Sequence, residues 1–379
     1  MRIHPFPARP RLLAVVISAA AMLLLLFVPL AAYAQANTAP GLYQQTNLVS
    51  NLPNVAKFQD SNLVNPWGLS HGPTTPWWVS DNGAGVATLY NGGGQAFPLA
   101  SPLVVTIPPP AGSPAGTTAA PTGNVFNGTN GFVVSENGIS GPSLFIFATE
   151  DGTISGWNRN VDVTHAILKV DRSTVGAGAV YKGLAIAGNS IYATNFRFGT
   201  VEMFDSSFNL VGSFTDSKLA NTCPLPNQCY APFGIQNING NLYVTFALQN
   251  AEKHDDVSGP AHGFVDVFDT SGNLIQRLIL HGRLNSPWGL ALAPADFGRF
   301  SNNLLVGNFG DGRINAYDLN TGEFFGQLRD QTNTPITIDD LWGLGFGNDM
   351  NAGKHNELFF TAGINDEADG LFGKITSVS

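Results

Sequence analysis

Two imidazoles and two carboxylates lie close together in the segment QNAEKHDDVSGPAHGF, residues 249–264. They belong to His254, Asp255, Asp256 and His262. Imidazole nitrogens and carboxylate oxygens bind divalent metals, and the same groups can act as a general acid and base. The alternative is a loop that caps itself, with aspartates that accept hydrogen bonds from backbone amides. The segment is therefore a candidate functional loop, and the choice between these roles stays open.

The only two cysteines, Cys223 and Cys229, enclose the short segment CPLPNQC. In an oxidising compartment such a pair favours a disulfide. The alternative is half of a metal site, but no further cysteine and no nearby histidine supplies the remaining tetrahedral ligands. We therefore predict a disulfide that holds a surface loop, with a chain-entropy contribution of about 2 kcal/mol for so small a ring.

A repeated glycine marks the structural elements that position these groups. Six glycines each follow a turn, open an apolar run and are 51 to 60 residues apart: Gly68, Gly123, Gly183, Gly234, Gly289 and Gly343. A second series, a turn glycine with a large apolar residue five positions later, also counts six. Between these markers, alternating strands such as RINAYD and FVDVFD are separated by turn residues. This pattern predicts four-stranded antiparallel sheets.

A repeat of this length with four strands per unit is typical of a β-propeller. We predict an all-β, six-bladed β-propeller of four-stranded antiparallel blades, with the glycines where inner strands crowd around the axis. The tryptophans before three glycines are interpreted as inter-blade packing, the alternative being a sugar-binding platform. The segment LYQQTNLVSNLP, residues 42–53, alternates like a strand and is predicted to close the sixth blade from outside.

The first 36 residues carry three arginines, a long uncharged apolar run and small residues at AYA and AQA. These are the features of a secretory signal peptide, and a retained membrane anchor is the alternative. We expect residues 1–36 to be a signal peptide and residues 37–379 to be a single propeller domain. The localisation that follows is secreted or periplasmic, in a bacterium.

Composition limits the partners. The chain is 44% hydrophobic and 12% charged, which excludes a disordered protein. Its net charge of −9 becomes more negative when the three signal-peptide arginines are lost. An acidic protein of this kind has no electrostatic footprint for nucleic acid or anionic lipid. We expect no nucleic-acid partner, no membrane association after signal cleavage, and a monomer.

The second strand of each blade is expected to end near one mouth of the channel. The residues assigned to these ends are Asp81, Glu150, Asn195, Phe246, Asn308 and Ala362. Four of them carry oxygen, so they could converge on a divalent cation such as Ca²⁺, with the loop that holds His254 and His262 as a neighbouring lid. Asp81 and Glu150 would be the metal ligands, because like charges brought together need a cation. The alternative is that all four are turn residues.

A resemblance carries the interpretation further. The strings TNLVSNLP, NPWGL, FIFATEDGTISGWN, EKHDDVSGPAHGFVDVFD, LLVGNFGDGRINAYD and GLFGKI resemble those of an uncharacterised family of secreted bacterial propellers. Some of its members carry a PEP-CTERM sorting tail, and the blades are more distantly similar to NHL-type six-bladed propellers. The resemblance covers nearly all of residues 37–379 and implies no established activity. No Pro-Glu-Pro motif follows GLFGKITSVS, so we expect no anchoring through such a tail.

Two hypotheses of function remain. The first is a binding module for a protein, glycan or small-molecule ligand. The second is a metal-dependent hydrolase or lyase that resembles lactonase-type six-bladed propellers, whose metal-binding pattern places Asn directly before an inner-strand glycine. The residues before the glycines are here Trp67, Thr122, Lys182, Phe233, Trp288 and Trp342. Because none is Asn, the binding module is favoured, and no nucleophile elbow, P-loop or dinucleotide fingerprint supports an enzyme.

Overall fold

The computed structural model describes residues 41–378 of the protein. The signal peptide predicted for residues 1–36 lies outside this range and stays a prediction. Across the described range, no helix combines the length and the apolar character needed to cross a membrane.

Six antiparallel sheets follow one another along the chain. Two N-terminal strands, β1 (Leu42–Ser50) and β2 (Phe58–Gln59), precede the first of them. Blade one consists of β3 (Pro66–Ser70), β4 (Trp77–Asp81), β5 (Val86–Tyr90) and β6 (Val104–Thr106). Blade two contains β7 (Pro121–Phe126), an inserted hairpin of β8 (Val133–Glu136) and β9 (Ile139–Pro142), then β10 (Phe145–Thr149), β11 (Thr153–Trp157) and β12 (Ile167–Asp171).

The next two blades are joined by a short helix. Blade three consists of β13 (Tyr181–Ala187), β14 (Ser190–Asn195), β15 (Thr200–Asp205) and β16 (Leu210–Phe214). The helix α1 (Ser217–Ala220) then leads into the loop closed by Cys223 and Cys229, whose predicted disulfide is confirmed. Blade four consists of β17 (Tyr230–Ile238), β18 (Asn241–Leu248), β19 (Phe264–Phe268) and β20 (Leu274–Leu280).

The last two blades complete the ring. Blade five consists of β21 (Pro287–Leu292), β22 (Leu304–Asn308), β23 (Ile314–Tyr317) and β24 (Phe324–Gln327), with a 3-10 turn (Gly298–Phe300) after β21. Blade six contains β25 (Leu341–Phe346), β26 (Glu357–Ala362) and β27 (Leu371–Val378). Its outer strand is β1, with the short β2 beyond it. The predicted six-bladed β-propeller is confirmed.

The N-terminal strand closes the sixth blade as predicted. Strand β1 runs antiparallel to β27, with Leu42 opposite Val378 and Ser50 opposite Leu371. Tyr43 is fully buried, and its hydroxyl donates to the Phe297 carbonyl oxygen at 3.0 Å. This hydrogen bond ties the closing strand to blade five as well as to blade six. The closure pairs an edge of β27 that would otherwise be open.

The burial of the strands follows from their order in each blade. The second strands of blades one, two and five, WWVSD, FIFAT and LLVGN, are buried at every residue. Both faces of a blade pack against neighbouring blades, so these strands are apolar runs rather than alternating ones. The outer strands LVGSF and FFGQ contain no buried residue. The core therefore lies between the blades.

The repeated glycines lie where neighbouring inner strands approach each other. A Cβ on Gly234 would collide with the carbonyl oxygen of Trp288 in the next blade. A Cβ on Gly289 would collide in the same way with the carbonyl oxygen of Trp342. Glycine removes this clash and lets the backbones of adjacent blades come into contact. The repeated glycines therefore mark the positions at which neighbouring blades contact each other around the axis.

Candidate functional site

The side chains before the six glycines close the channel, and we call this set the axial plug. It consists of Trp67, Thr122, Lys182, Phe233, Trp288 and Trp342, each at most 8% exposed. Trp67 stacks on Trp342 with ring centroids 3.5 Å apart, and Trp288 meets both rings edge-on. Rings this buried pack against each other and offer no face to a sugar. The plug separates one mouth of the channel from the other.

The strand register corrects the assignment of one second-strand end. Asp81, Asn195 and Asn308 pair with the first residues of their inner strands, and in blade two that place is taken by Thr149. Glu150 therefore lies one position further along the chain than its supposed equivalents. Successive residues of a strand point in opposite directions, so this single step changes the face.

The structure does not bring the four predicted mouth residues together. Asp81 is fully buried and accepts a hydrogen bond from Thr88 at 2.7 Å, and burial raises its pKa well above the usual range. Asn195 donates to Glu202 and Asn308 donates to Asp311. Within residues 41–378, no hydrogen bond or ion pair connects any of these three with Glu150. Asp81 and Asn195 instead bond to side chains of their own blades, and Asn308 also donates to the Arg283 carbonyl oxygen in the connection from blade four.

Glu150 does reach the axis, together with the predicted loop. Its carboxylate accepts from the ammonium group of Lys182 and, at 2.9 Å, from the Asn82 side chain. Asp255 lies 3.3 Å from the same Lys182 nitrogen and 2.7 Å from Nδ1 of His254. The ligand atoms of Glu150, His254 and Asp255 lie within 4.8 Å of one another. The loop therefore covers the plug as a lid, and these three side chains form a group that could hold a metal ion.

Lys182 is the cation of this group. Its side chain is 2% exposed, and its nitrogen lies 5.0 Å from the ring centre of Trp67 and 5.9 Å from that of Phe196. Burial alone would lower its pKa, but Glu150 and Asp255 outweigh this effect and raise the pKa above its usual value. The imidazole of His254 and the Lys182 ammonium hold the pKa of Asp255 below its usual range. The ammonium thus neutralises the carboxylates that a metal would need as ligands.

Three more carboxylates surround this group, and with Glu150 and Asp255 we call them the acidic mouth: Asp256, Asp340 and Glu367. Burial raises the pKa of Asp256. Burial and the neighbouring Asp339 raise the pKa of Asp340 to about 6. Burial and repulsion from Glu150 raise the pKa of Glu367 to about 7. The mouth therefore holds more carboxyl groups than Lys182 can neutralise, and it gains negative charge as the pH rises through 6 to 7.

Asp340 and Glu367 are absent from the sequence prediction because backbone conformation places them. Asp340 has a left-handed φ of 47°, as do Asn65 and Ser286 at the same position of blades one and five, with 45° and 46°. Glu367 ends three successive left-handed residues, Asn365, Asp366 and Glu367. Such a conformation is costly for residues with a side chain and marks segments held by their surroundings. The only signals in the sequence are the pair Asp339–Asp340 before Trp342 and the pair Asn365–Asp366 after Ala362.

His262 has a different role from His254. Its Nδ1 lies 3.0 Å from the Val257 carbonyl oxygen, within the same loop. Among the described residues, no hydrogen bond or ion pair joins His262 to Glu150 or Lys182. The loop therefore contributes His254 and Asp255 to the group at the axis, Asp256 to the surrounding carboxylates, and His262 to its own conformation.

The opposite mouth contains an open cavity of about 320 Å³. It lies at the far ends of the inner strands, where Ser70, His71, Gln236 and Asn237 provide hydrogen-bonding groups and Phe346 provides an aromatic surface. None of its lining residues is Asp, Glu, Lys or Arg. A narrow space of about 30 Å³ continues along the glycines as far as Trp288. We call the wide part the open cavity.

The side chains of the open cavity differ in how far they are already bonded. Nε2 of His71 lies 2.8 Å from the Phe346 carbonyl oxygen, and Asn237 donates to the Ile186 carbonyl oxygen at 2.9 Å. The exposed side chain of Gln236 makes no hydrogen bond within residues 41–378. Gln236 therefore retains both its amide donor and its carbonyl acceptor for a ligand. The sequence prediction missed this mouth, because it considered the second strands and not the ends of the inner ones.

Comparisons with known proteins identify relatives and structures of the same fold, but they assign no activity to this chain. No family model matches the chain. The uncharacterized protein R648 of Acanthamoeba polyphaga mimivirus is 33% identical over 331 residues, which cover 86% of this chain and 78% of R648. The uncharacterized mimivirus protein L690 is 32% identical over 331 residues, which cover 86% of this chain and 84% of L690. These relatives are viral, and they support neither the bacterial origin nor the sorting tails that the family resemblance implied.

Solved structures with the same architecture are distant in sequence. Two glucose dehydrogenase structures match with TM-scores of 0.50 and 0.51, each at 12% identity. Each match covers 89% of this chain and all of the other. At this identity the likeness shows the propeller fold alone, because one fold supports unrelated activities.

Proposed function

Because the chain belongs to the family of the mimivirus proteins R648 and L690, which are themselves uncharacterized, we propose its function from geometry: a ligand-binding propeller. The open cavity carries this proposal. It is concave, lies on the propeller axis and combines apolar walls with several hydrogen-bonding groups, as ligand sites do. The glycan and small-molecule ligands predicted from the sequence fit this cavity. The acidic mouth lies at the other end of the channel and is covered by the loop of residues 249–264.

The lining favours an uncharged, hydroxyl-rich ligand of the carbohydrate class. Gln236 can donate and accept hydrogen bonds, and Phe126 and Phe346 can contact the apolar face of a sugar ring. A charged ligand would meet no counter-charge there and would lose its hydration without compensation.

Titration calorimetry with the neutral disaccharides maltose and cellobiose tests the proposal. The variant Gln236→Ala should bind roughly 5-fold more weakly, the cost of about one hydrogen bond. The variant Gln236→Trp should abolish binding, because the indole fills the cavity from an exposed position. The matched control is Gln331→Ala, since this exposed glutamine lies outside the lining. Equal affinity of wild type and Gln236→Trp contradicts the proposal.

A second function rests on the group of Glu150, His254 and Asp255. Its three donors could hold a divalent ion and support a metal-dependent hydrolase or lyase. Ca²⁺ prefers six to eight oxygen ligands, so this donor set suits an ion that accepts imidazole better than it suits calcium. Against this function, Lys182 already occupies the space between the carboxylates. Metal analysis with melting before and after chelation decides: an unchanged melting temperature favours the ligand-binding propeller.

The cellular setting also remains a proposal. A secreted or periplasmic protein fits both the predicted signal peptide and the disulfide between Cys223 and Cys229. N-terminal sequencing of the exported protein tests the cleavage near residue 36. Sedimentation of the same sample tests whether it is a monomer.

A further inference from the structure

A second cavity, of about 230 Å³, lies at the outer edge of blade five and is lined by three arginines. We call it the arginine groove, after Arg283, Arg299 and Arg329. Phe300 and Phe324 form its apolar walls. The groove is separate from the open cavity and from the acidic mouth, and shares no lining residue with the open cavity.

The charge of the groove is opposite to that of the protein. The chain has 27 acidic and 18 basic residues, yet no Asp or Glu lines the groove. Other arginines are neutralised, such as Arg172 by Glu202 and Arg277 by Asp216. Across residues 41–378, by contrast, no carboxylate lies within ion-pair distance of Arg283, Arg299 or Arg329. Three guanidinium groups around one cavity repel each other unless an anion joins them.

The structure holds these guanidinium groups in place. The Arg283 guanidinium lies 5.7 Å from the ring centre of Phe324, and that of Arg299 lies 5.4 Å from the ring centre of Phe300. Arg329 donates from Nη1 to the Asn333 carbonyl oxygen at 2.7 Å. Cation–π contact with an aromatic face orients a guanidinium while its N–H groups stay free to donate. The groove therefore presents oriented donors before any ligand binds.

We propose that the arginine groove binds the phosphate or sulfate group of a soluble organic ester. Guanidinium groups donate paired hydrogen bonds to such oxyanions, and several arginines together suit a doubly charged one. Phe300 and Phe324 then contact the organic part of the ester. This site is independent of the proposed ligand in the open cavity, because the two ligands differ in charge and the two cavities in position.

Titration calorimetry of the full chain with sodium sulfate and sodium phosphate tests the charged part of the proposal. Sodium chloride at equal ionic strength controls for screening. Arg283→Gln and Arg299→Gln should each weaken oxyanion binding about 10-fold, and the double variant further. Arg299→Lys keeps the charge but loses the paired donors of the guanidinium group. Its affinity for the oxyanions should therefore lie between those of wild type and Arg299→Gln. The matched control, Arg159→Gln, removes an exposed arginine outside the groove and should bind as wild type does.

Nitrophenyl phosphate and nitrophenyl sulfate test the apolar part. They should bind more tightly than the inorganic ions. Phe324→Ala should remove this gain, and it should weaken binding of the inorganic ions less than Arg283→Gln does, because Arg283 keeps its charge and loses only the ring that orients it. The proposal is overturned if chloride matches the effect of sulfate, or if Arg159→Gln weakens binding as much as Arg299→Gln. Binding only to phosphatidate vesicles, with no binding of the free ions or esters, overturns it as well. Melting temperatures of all variants show that they are folded.

Discussion

Lys182 determines the character of the axis. Its ammonium group is buried between Glu150, Asp255 and the rings of Trp67 and Phe196. A buried carboxylate without a counter-charge is strongly unfavourable, so the lysine stabilises the closed lid and plug together. The lysine thus places a cation of the protein itself next to the carboxylates that could serve as metal ligands.

Replacing Lys182 with Met should expose this role. We expect the free energy of unfolding to fall by about 3–5 kcal/mol, because the largely buried Glu150 carboxylate keeps its hydrogen bond from Asn82 but loses its counter-charge. Added Zn²⁺ should then raise the melting temperature of the variant but not that of the wild type. The double variant Lys182→Met/Glu150→Gln is the control and should recover stability and lose the response to Zn²⁺. A wild-type response as large as that of Lys182→Met would show that the lysine does not compete with the ion.

Asp266 in blade four should make stability depend on pH. Burial and the adjacent Asp216 carboxylate raise the pKa of Asp266 to about 8. The folded protein keeps this proton while the unfolded chain releases it above pH 4. The stabilising contribution is therefore complete below pH 4 and is lost as the pH rises to about 8, with a slope near 1.4 kcal/mol per pH unit.

The variant Asp266→Asn cannot titrate, so its stability relative to wild type should increase between pH 4 and pH 8. Urea unfolding at a series of pH values measures this difference. Asp269→Asn is the control, because hydrogen bonds from Asn273 lower the pKa of that exposed carboxylate. Its effect should change only below pH 4. Parallel stability curves for wild type and Asp266→Asn would contradict the raised pKa.

At the scale of elements, the loops carry the chemistry and the strands position it. The inner strands bring the axial plug together, and their far ends line the open cavity. The loop of residues 249–264 closes over the plug because Asp255 reaches Lys182 from blade four. The short helix α1 is capped by Asp216, which also pairs with Arg277, so the segment before the disulfide loop is held to blade four.

The disulfide loop should contribute local stability only. Replacing Cys223 and Cys229 with Ser should lower the free energy of unfolding by about 2 kcal/mol, since the ring has a sequence separation of only 6. Thermal melting of the oxidised protein and the double variant measures the loss. Reduced wild type should melt like the variant. Complete loss of folding would mean that the loop supports the propeller as a whole.

The whole molecule is a ring closed by its own N-terminal strand. Each inner strand packs against the next, and β1 supplies the outer strand of the last blade. Two regions of opposite charge lie on this ring, the acidic mouth at the axis and the arginine groove at the edge of blade five. They would select ligands of different charge, while the uncharged open cavity lies at the other mouth.

Deleting residues 37–52 should open the ring. The unpaired edge of β27 and the exposed side chains of Phe372 and Ile375 should then promote association with other copies. Size-exclusion chromatography should show dimers or aggregates, and a synthetic peptide of residues 41–52 should restore the monomer. Deletion of residues 37–40 alone is the control. A monomer with unchanged melting temperature after the longer deletion would contradict a role of β1 in closure.

The repeat alone was sufficient to predict much of this architecture. The glycine spacing indicates where inner strands contact each other, and the period-two alternation indicates the sheets. The six blades can therefore be predicted from the local pattern. The closing strand and the disulfide follow in the same way. Residues 42–53 alternate like a strand but have no partner strand nearby in the sequence. Cys223 and Cys229 are the only two cysteines of the chain, so each could pair only with the other.

Only the tertiary structure could decide which polar residues meet. Glu150 reaches Lys182 and Asp81 does not, because a shift of one residue along a strand reverses the side chain and no local pattern records it. Asp340 and Glu367 depend on left-handed backbone that their residue types do not demand. Arg283, Arg299 and Arg329 are separated in the chain and meet only where the loops of blade five fold back on its outer strand. Strand pattern sets the blades, but side-chain convergence depends on register and loop conformation, which long-range packing determines.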